Sequence, residues 1–498
     1  MKRNKIILYS LFLFFFVKGN AQNPYTNDSV KEKLETALEN FENDRDLRHA
    51  TFGFCLYEPK KEKLITSRHK DVSLIPASTT KLITTGAALA LLGKDFTFKT
   101  YIQYTGKLTQ EGVLYGDLYV IGGGDPTLGS GKLGAMPLDS LLADVVEAIM
   151  AKGISQIKGK IIADVSMFKG EEDLVPANWT WQDMGNHYAA SPSALTVDGN
   201  TYEVKFKTGT KKGDSTHIIN VTPDGLEDVE LINNVTTAED GSEDNAYIYA
   251  SPSSKKRYVA GTLPANKDNF IIKGSIPNPP KLFTEKLKIA LEKRCVYTDG
   301  GVEIRTKNTS QETKEKKKNI LTIESPPLYS IVSFINETSS NLYAEHLLKT
   351  IGYVKAGDGS TAAGIDIVMK YLQKINFDTE GFQYADGSGL SRTNVVTTFQ
   401  QVKYLSYYMK QPNFKEFYGS LPIAGQTGTL KKMFKEQPAE GKIRAKTGTL
   451  SNVKAWAGYV TTEDGKTLCF SFVINNFSCS ITELKKKVEI VLNNLIYF

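Results

Sequence analysis

A long stretch of short strands and turns, from Phe96 to about Arg305, separates two parts of the chain whose pattern is mainly helical. Within it, segments such as Thr100 to Tyr104, Val113 to Ile121 and Ile161 to Asp164 are rich in residues that favour strands and are bounded by turn-forming residues. A stretch of this kind predicts one or two inserted β-rich domains. The whole chain therefore predicts a mixed α/β (α+β) fold, in which a body of helices and antiparallel sheet is interrupted and then resumed.

Three consecutive antiparallel strands are predicted near the C-terminus, at Lys442 to Thr449, Val453 to Val460 and Leu468 to Ile474. Glu463-Asp464-Gly465 supplies turn-forming residues between the last two of them. A final amphipathic helix follows, and its apolar stripe predicts packing against this sheet. The stripe consists of Leu484, Val488, Val491, Leu492 and Leu495.

Residues 1–21 have the pattern of a secretory signal peptide. Positive residues at positions 2, 3 and 5 precede an apolar stretch from Ile6 to Val17, and the small residues Gly19-Asn20-Ala21 predict cleavage before Gln22. The apolar stretch is short for a membrane span. We therefore predict an exported, periplasmic protein with no integral membrane span after the signal is removed, and leave loose association with the membrane open.

Composition argues against several classes of function. Of the formal net charge of +6, four positive charges belong to residues 1–21, and no basic stripe interleaved with aromatic residues follows, so we expect no nucleic-acid partner. The histidines are scattered and no HExxH motif occurs, so we expect neither a metal nor another cofactor. The cysteines lack a CxxC motif, and their pairing stays open. They are Cys55, Cys295, Cys469 and Cys479.

Three short motifs occur in order along the chain and carry the candidate chemistry. They are Ser78-Thr79-Thr80-Lys81, Ser339-Ser340-Asn341 and Lys446-Thr447-Gly448, which match the patterns SxxK, SxN and KTG. Penicillin-binding proteins and related serine β-lactamases share this set. Each motif alone is common, whereas all three in this order, on a helix, a loop between helices and a strand, are specific.

The first two motifs predict the groups that form and release an acyl-enzyme. On a helix, Ser78 and Lys81 share a face, so Lys81 can act as general base and make Ser78 a nucleophile. The amine must be neutral to do so, and we expect burial and the nearby cation of Lys446 to lower its pKa. Ser339 is predicted to relay a proton to the leaving amine, and Asn341 to hold the substrate backbone.

The third motif predicts the edge along which a substrate binds. An extended peptide can dock beside the strand that carries Lys446, Thr447, Gly448 and Thr449 through main-chain hydrogen bonds. The hydroxyls of Thr447 and Thr449 are then candidates to bind a terminal carboxylate. The backbone N–H groups of Ser78 and Thr449 are the predicted oxyanion hole.

Together with several longer blocks, these motifs resemble the low-molecular-weight class C penicillin-binding proteins, which are serine-type D-alanyl-D-alanine carboxypeptidase/endopeptidases. The resemblance extends over nearly the whole chain after the signal peptide. The matching blocks are Pro76 to Leu82, Gly123 to Leu128 (GGDPTL), Trp179 to Asp183, Ser193 to Leu195, Asp386 to Arg392 and Leu421 to Gly425.

The resemblance implies a penicillin-binding enzyme that acts on peptidoglycan peptides through an acyl-enzyme on Ser78, is inhibited covalently by β-lactams and needs no cofactor. It also implies a transpeptidase/β-lactamase-like domain with two inserted β-rich domains between the first two motifs. The expected order is the signal peptide at 1–21, the transpeptidase-like domain at 22–95 and 320–498, inserted domain II at 96–200 and 261–319, and inserted domain III at 201–260.

Asp183 is a further candidate that depends on the resemblance. In some relatives an acidic residue of the inserted domain binds the ammonium group of a diaminopimelate side chain, and Asp183 falls in the matching block; a role in capping its own loop is equally open. Two departures from the family pattern occur. Ser340 stands where many relatives carry Asp, and Gln426-Thr427-Gly428-Thr429 lacks the lysine of a KTG motif and is interpreted as structural.

Two other classes of function stay open. A serine β-lactamase would use the same acyl-serine, but the long interval between Lys81 and Ser339 argues against it. A catalytically quiet cell-wall-binding protein would not need the full set of Ser78, Lys81, Ser339, Asn341 and Lys446. The sequence does not separate carboxypeptidase from endopeptidase activity.

Overall fold

The computed structural model describes residues 27–309 and 315–498, so the predicted signal peptide at 1–21 lies outside the described residues. The helices are α1 (Asn27–Glu42), α2 (Lys81–Leu92), α3 (Leu138–Ala151), α4 (Trp181–Met184), α5 (Pro279–Lys293), α6 (Leu328–Thr338), α7 (Asn341–Ala356), α8 (Thr361–Lys374), α9 (Thr398–Tyr408), α10 (Phe414–Gly419) and α11 (Ile481–Leu492). The strands are β1 (Thr51–Glu58), β2 (Lys63–Arg68), β3 (Lys99–Tyr104), β4 (Lys107–Leu108), β5 (Val113–Tyr115), β6 (Leu118–Ile121), β7 (Gln156–Ile157), β8 (Ile161–Asp164), β9 (Thr201–Lys207), β10 (His217–Thr222), β11 (Glu230–Thr237), β12 (Tyr247–Tyr249), β13 (Lys256–Leu263), β14 (Phe270–Ser275), β15 (Tyr297–Thr298), β16 (Val302–Arg305), β17 (Lys318–Glu324), β18 (Ile443–Leu450), β19 (Val453–Thr461) and β20 (Thr467–Asn475).

An antiparallel sheet in the order β18-β19-β20-β1-β2 forms the centre of the body. Its three C-terminal strands are the predicted ones, and a turn at Glu463-Asp464-Gly465 joins β19 to β20. Strand β1 pairs with β20 and so joins the two halves of the interrupted body. Strand β18, which carries the third motif, lies at the edge of the sheet.

Both faces of this sheet are covered, and alternate residues face opposite sides. Phe54 and its cross-strand partner Phe472 pack with Leu484 and Val488 of α11 in one buried cluster. Cys55, the next residue along β1, belongs to the cluster on the other face, which is covered by helices that include α2, α6, α7 and α9. Each fully buried side chain of this size contributes about 1.5–3 kcal/mol. The prediction that the apolar stripe of the last helix packs against the sheet is confirmed.

Between α2 and α6 the chain is rich in strands, as predicted. The described strands of this region form sheets in the orders β16-β8-β6-β3-β17, β15-β7-β5-β4, β10-β9-β14 and β11-β13-β12. Strands β3 and β17 pair antiparallel, so the chain enters and leaves the region side by side. We propose the division into inserted domains II and III at 96, 201 and 261. The end of domain II predicted at residue 319 falls inside β17, and because β17 pairs with β3 we propose that domain II extends through Glu324.

The architecture brings the three motifs to one place. The first motif lies in a 3₁₀ helix, Ala77–Thr80, that leads into α2 and packs against β18 and β19. The second lies where α6 ends and α7 begins. The third lies on the edge strand β18. The side chains of the three motifs therefore lie on elements that pack into the core.

Candidate active site

Ser78 lies half-buried in the 3₁₀ helix before α2, one turn from Lys81. The Lys81 Nζ donates a hydrogen bond of 2.9 Å to the Ser78 Oγ. The preceding residue, Ala77, has a φ of 47°, in the left-handed region that non-glycine residues seldom adopt. Such strain is typical of functional sites and is held in place by surrounding structure.

Two glycines allow the chain to close around this turn. A Cβ atom at Gly389 would lie 2.0 Å from the carbonyl oxygen of Ala77. A Cβ atom at Gly448 would lie 2.5 Å from the carbonyl oxygen of Pro76 and 3.0 Å from the backbone nitrogen of Ser78. Because only glycine permits these distances, Gly448 is the residue that lets the third motif approach the nucleophile.

Lys81 is completely buried, and its ammonium group has three acceptors. Besides Ser78, it donates to the Asn341 Oδ1 at 2.6 Å and to the carbonyl oxygen of Ser388 at 2.5 Å. Burial lowers the pKa of Lys81 to about 7, and the charges of Asp386 and Glu345 oppose that shift. A lysine with this pKa is half neutral near physiological pH, which a general base requires.

Lys446 is the second cation that we expected to lower the pKa of Lys81. Lys446 is also fully buried, and its pKa lies well below the ordinary value, first because of burial and then because of repulsion from Lys81 and Lys454. Burial is the largest cause of the lowered pKa of Lys81, and repulsion between the two lysines adds to the lowering for Lys446. Burial in a dry cleft is therefore the main factor that prepares the base.

The second motif is shaped by the junction of two helices. Ser339 ends α6 with a left-handed φ of 61°, and the Ser340 side chain caps α7 by accepting from the Tyr343 N–H. Asn341 is then the first residue of α7, so its Oδ1 accepts from Lys81 while its Nδ2 donates to the carbonyl of Tyr188 at 2.8 Å. Ser340 therefore replaces the Asp of many relatives without loss of the cap.

The third motif connects the other two. The Lys446 Nζ donates to the Ser339 Oγ at 2.9 Å and to the carbonyl of Thr447 at 2.8 Å. The Thr447 hydroxyl donates to the Thr429 Oγ1 at 2.8 Å, so the segment that lacks the KTG lysine has a structural contact with the motif itself. Thr449 accepts a hydrogen bond from the Lys454 ammonium group on the neighbouring strand.

Two buried carboxylates that the sequence did not single out hold the segment from Asp386 to Ser391. Glu345, on α7, accepts from the backbone N–H groups of Gly387 at 3.1 Å and Ser388 at 2.8 Å. Burial and the charge of Asp386 raise the pKa of Glu345 to about 8. Asp386 itself accepts from the N–H groups of Gly389 and Ser391, each at 2.6 Å, and from the Trp179 Nε1 at 2.9 Å. Glu345 lies four residues after Asn341, one helical turn further along the same face, which is the signal that could have found it.

A pocket of about 300 Å³ opens in front of Ser78. Its lining includes Ser339, Asn341 and Thr449 from the motifs, and Asp183, Tyr188, Tyr247 and Arg392 from elsewhere in the chain. The structure thus brings all the predicted catalytic residues together. Among the residues that the structure describes, no cluster of metal-ligating side chains occurs, and the four cysteines are free.

Asp183 lines this pocket and is only 7% exposed. Its carboxylate accepts from the Thr180 Oγ1 at 2.6 Å and from the Tyr188 hydroxyl at 3.2 Å, and it lies 3.5 Å from the Arg392 Nη1. The bond to Thr180 is the local contact expected of a residue in the first turn of α4. Asp183 therefore both stabilises its own loop and forms part of the pocket wall.

The chain matches the model of the D-Ala-D-Ala carboxypeptidase 3 (S13) family over residues 34–494. A D-alanyl-D-alanine carboxypeptidase of Actinomadura sp. (strain R39) is 32% identical over 460 residues, which cover 90% of this chain and 81% of that protein. The D-alanyl-D-alanine carboxypeptidase DacB of Haemophilus influenzae is 26% identical, over 87% of each chain.

Solved structures show the same fold. The crystal structure of penicillin binding protein 4 (dacB) from Haemophilus influenzae superposes with a TM-score of 0.77 at 23% identity, over 95% of this chain and all of that one. The same protein complexed with a novel β-lactam gives a TM-score of 0.75. The predicted fold class and activity are confirmed: the chain belongs to the D-Ala-D-Ala carboxypeptidase 3 (S13) family and is a serine-type D-alanyl-D-alanine carboxypeptidase.

Proposed function

We propose that the protein carries out the D-alanyl-D-alanine carboxypeptidase reaction of its family through an acyl-enzyme on Ser78, with Lys81 as general base. The observation that carries this proposal is the 2.9 Å contact between the Lys81 Nζ and the Ser78 Oγ, made by a fully buried lysine whose pKa is about 7. The neutral amine accepts the hydroxyl proton while the Oγ attacks the carbonyl of the penultimate D-alanine.

The negative charge that develops on the carbonyl oxygen needs donors aimed at it. We assign this role to the backbone N–H groups of Ser78 and Thr449. Thr449 follows Gly448 on β18, and Gly448 packs against the turn that carries the Ser78 nitrogen. The substrate peptide would extend along the edge strand β18 by main-chain hydrogen bonds. Its terminal carboxylate would then lie at the hydroxyls of Thr447 and Thr449.

Collapse of the tetrahedral intermediate breaks the bond between the penultimate carbonyl carbon and the nitrogen of the terminal D-alanine. The leaving nitrogen takes a proton from the Ser339 hydroxyl, and Lys446, 2.9 Å from that oxygen, supplies the replacement. Asn341 keeps Lys81 and the substrate backbone in register. Water then attacks the ester on Ser78: one water proton passes through Ser339 to Lys446, the Ser78 Oγ takes back the proton held by Lys81, and the peptide that now ends in the former penultimate D-alanine leaves.

Asp183 is our proposed binding group for a cationic side chain on the acyl part of the substrate, such as the ammonium of diaminopimelate. Its buried carboxylate faces the pocket, and its one guanidinium neighbour, Arg392, is at the long distance of 3.5 Å. Asp183→Asn should raise KM for a peptide with a free side-chain ammonium about tenfold and leave the KM of its N-acetylated counterpart within twofold. Equal effects on the two peptides would assign Asp183 to loop stability.

Two further parts of the proposal concern inhibition and location. A β-lactam resembles acyl-D-alanyl-D-alanine and would acylate Ser78, in line with the β-lactam complex of the Haemophilus influenzae protein. We also propose that the protein is exported to the periplasm. No helix among the described residues is long and apolar enough to cross a membrane.

The first test is labelling of the purified protein with a fluorescent penicillin beside a Ser78→Ala variant. We expect a stable covalent band that the variant lacks. Ring-opened penicillin without a persistent band would favour a serine β-lactamase, and a folded protein that is neither labelled nor turns penicillin over would favour a catalytically quiet cell-wall-binding protein. Release of D-alanine from a pentapeptide then measures the activity itself.

Endopeptidase cleavage of cross-bridges is a second candidate, favoured by a cavity of about 700 Å³ that adjoins the catalytic pocket. Ser339, Asn341 and Tyr188 line both spaces, so the larger one lies beside the group that protonates the leaving amine. A single D-alanine would fill only a small part of this cavity, whereas a second stem peptide would fill more of it. Chromatography of a cross-linked muropeptide dimer after incubation with enzyme would reveal monomers if this activity is present.

A further inference from the structure

A row of partly exposed aromatic side chains leads away from the mouth of the catalytic pocket. We call Tyr247, Tyr249, Tyr258 and Trp181 the aromatic strip. Tyr247 lines the pocket in front of Ser78, whereas Trp181 is 55% exposed and Tyr258 is 42% exposed. Exposed aromatic groups that adjoin a polar pocket mark binding surfaces more often than scattered single residues do.

The sheet β11-β13-β12 creates the strip by strand alternation. Tyr249 of β12 lies directly opposite Tyr258 of β13, so both side chains point to the same face. The intervening residues Ile248 and Val259 point the other way and are fully buried in the core of the inserted region. The face of the sheet with Ile248 and Val259 therefore packs into the core, and the face with Tyr249 and Tyr258 points outward.

Helix α4 connects the strip to the active site. Trp181 begins this helix and points outward beside Tyr249, with ring centroids 6.5 Å apart, and Tyr247 lies 6.4 Å from Tyr249. Asp183, two residues further on, points into the pocket. A ligand that leaves the pocket past Tyr247 would thus meet the rings of Tyr249 and Trp181.

The remaining side chains of this outer face are mostly neutral. They are Ile232, Asn234 and Thr236 of β11, and Ala260 and Thr262 of β13. The charged residues at one end, Lys256 and Glu230, lie 4.0 Å apart and offset each other. A surface of this composition has no attraction for a polyanion. It suits a neutral ligand with apolar ring faces and many hydrogen-bonding groups, which describes a chain of amino-sugars.

The position of the strip fits the same ligand. In the proposed reaction Asp183 binds a side chain on the acyl part of the substrate, and Trp181 lies two residues before Asp183 on α4, so the strip adjoins the acyl side of the pocket. In peptidoglycan the acyl side of the peptide is the side joined to the glycan. We propose that the aromatic strip binds the glycan strand to which the stem peptide is attached, with sugar rings stacked on Trp181, Tyr249 and Tyr258. This inference rests on the proposed action on peptidoglycan peptides.

The test compares two soluble substrates that differ only in the sugar: a free pentapeptide and the same pentapeptide attached to its N-acetylglucosaminyl-N-acetylmuramyl disaccharide. Trp181→Ala, Tyr258→Ala and the double variant are measured beside wild type. Tyr297→Ala is the matched control, because Tyr297 is 55% exposed on β15 and belongs to no pocket that includes Ser78. Penicillin labelling of Ser78 verifies that each variant is folded.

We expect the double variant to lose about tenfold in kcat/KM on the disaccharide substrate, and each single variant to lose part of that. The free pentapeptide should be cleaved within twofold of the wild-type rate by every variant, and Tyr297→Ala should match wild type on both substrates. Equal kcat/KM for the two substrates in wild type, or equal losses on both in the variants, would overturn the inference. Failure of wild type to cleave the free pentapeptide would instead contradict the proposed function.

Discussion

The Glu345 carboxylate accepts a 2.8 Å hydrogen bond from the backbone N–H of Ser388, whose carbonyl oxygen accepts from Lys81 at 2.5 Å. A residue that contacts neither Ser78 nor the pocket therefore fixes one of the three acceptors of the general base. Because Glu345 is completely buried, its oxygens have no water to replace these partners.

Glu345→Gln should slow acylation of Ser78 about tenfold or more while penicillin still labels the protein. The amide nitrogen of glutamine would face one of two N–H donors, from Gly387 and Ser388, and the segment that carries the Ser388 carbonyl would shift. The second-order rate of labelling measures the effect, and the midpoint of thermal unfolding accompanies it. A large loss of thermal stability with an unchanged labelling rate would show that Glu345 supports the fold and does not position Lys81.

The pH dependence of acylation should report the pKa of Lys81. Burial lowers this pKa to about 7, and only the neutral amine can accept the Ser78 proton. The rate of penicillin labelling should therefore rise about tenfold per pH unit below 7 and level off above it. An acidic limb centred near 10, the ordinary region for lysine, would contradict the lowered pKa of Lys81.

Lys81→Arg should reduce acylation by about 10³-fold or more. A guanidinium group can form the contacts to Asn341 and the Ser388 carbonyl, but it stays protonated at every accessible pH and cannot accept a proton. The loss should persist from pH 6 to pH 9. A base that is present but has a higher pKa would instead regain activity as the pH rises. Recovery of the rate at high pH would contradict the assignment.

The motifs predicted which side chains come together in the candidate active site, because the chemistry expected of them depends on short spacings. Ser78 and Lys81 share one turn, and Ser339 and Asn341 flank a single helix cap, so local geometry already limits where these side chains point. The inserted region was predicted from its strand-rich pattern and from the family resemblance. Its strands pair with partners that are distant in the sequence.

The contacts of Lys81 beyond Ser78 were not predictable in the same way. Its acceptor at Ser388 is a backbone carbonyl, which any residue type carries, and the partners lie more than 300 residues apart. The buried carboxylates Glu345 and Asp386 each bind backbone N–H groups; helical spacing from Asn341 could single out Glu345, but it does not identify the backbone groups that Glu345 binds. Burial was expected from the sequence to lower the pKa of Lys81, but its weight against the opposing charges of Asp386 and Glu345 required the structure.

Gly448→Ala should reduce kcat about 10²- to 10³-fold, the usual cost of losing an oxyanion donor. The added Cβ would lie 2.5 Å from the Pro76 carbonyl oxygen, so β18 must move away from the backbone N–H of Ser78. Gly419→Ala is the matched control, because a Cβ at Gly419 meets no atom within 4 Å. The deacylation rate of a bound penicillin provides a second measurement, and wild-type kinetics in Gly448→Ala would remove Thr449 from the oxyanion hole.

The ion pair between Lys349 and Asp173 should matter far more for stability than its exposed counterpart on α8. Lys349 is 1% exposed, and its ammonium donates to both the carboxylate and the carbonyl of Asp173, which also accepts from the Thr361 N–H. Removal of one partner leaves a buried charge uncompensated and costs about 3–5 kcal/mol. Asp173→Ala should therefore lower the free energy of unfolding in urea by that amount.

The matched control is Asp366→Ala, which removes the partner of Lys370 on the surface of α8, where both side chains are more than half exposed. A solvent-exposed pair contributes at most about 0.2–1 kcal/mol, so this variant should unfold close to wild type. Each variant removes the aspartate partner of one lysine, so the difference in their free energies of unfolding isolates the effect of burial. Similar unfolding curves for both would mean that the loop with Asp173 opens before the rest of the fold and that Lys349 gains access to water at little cost.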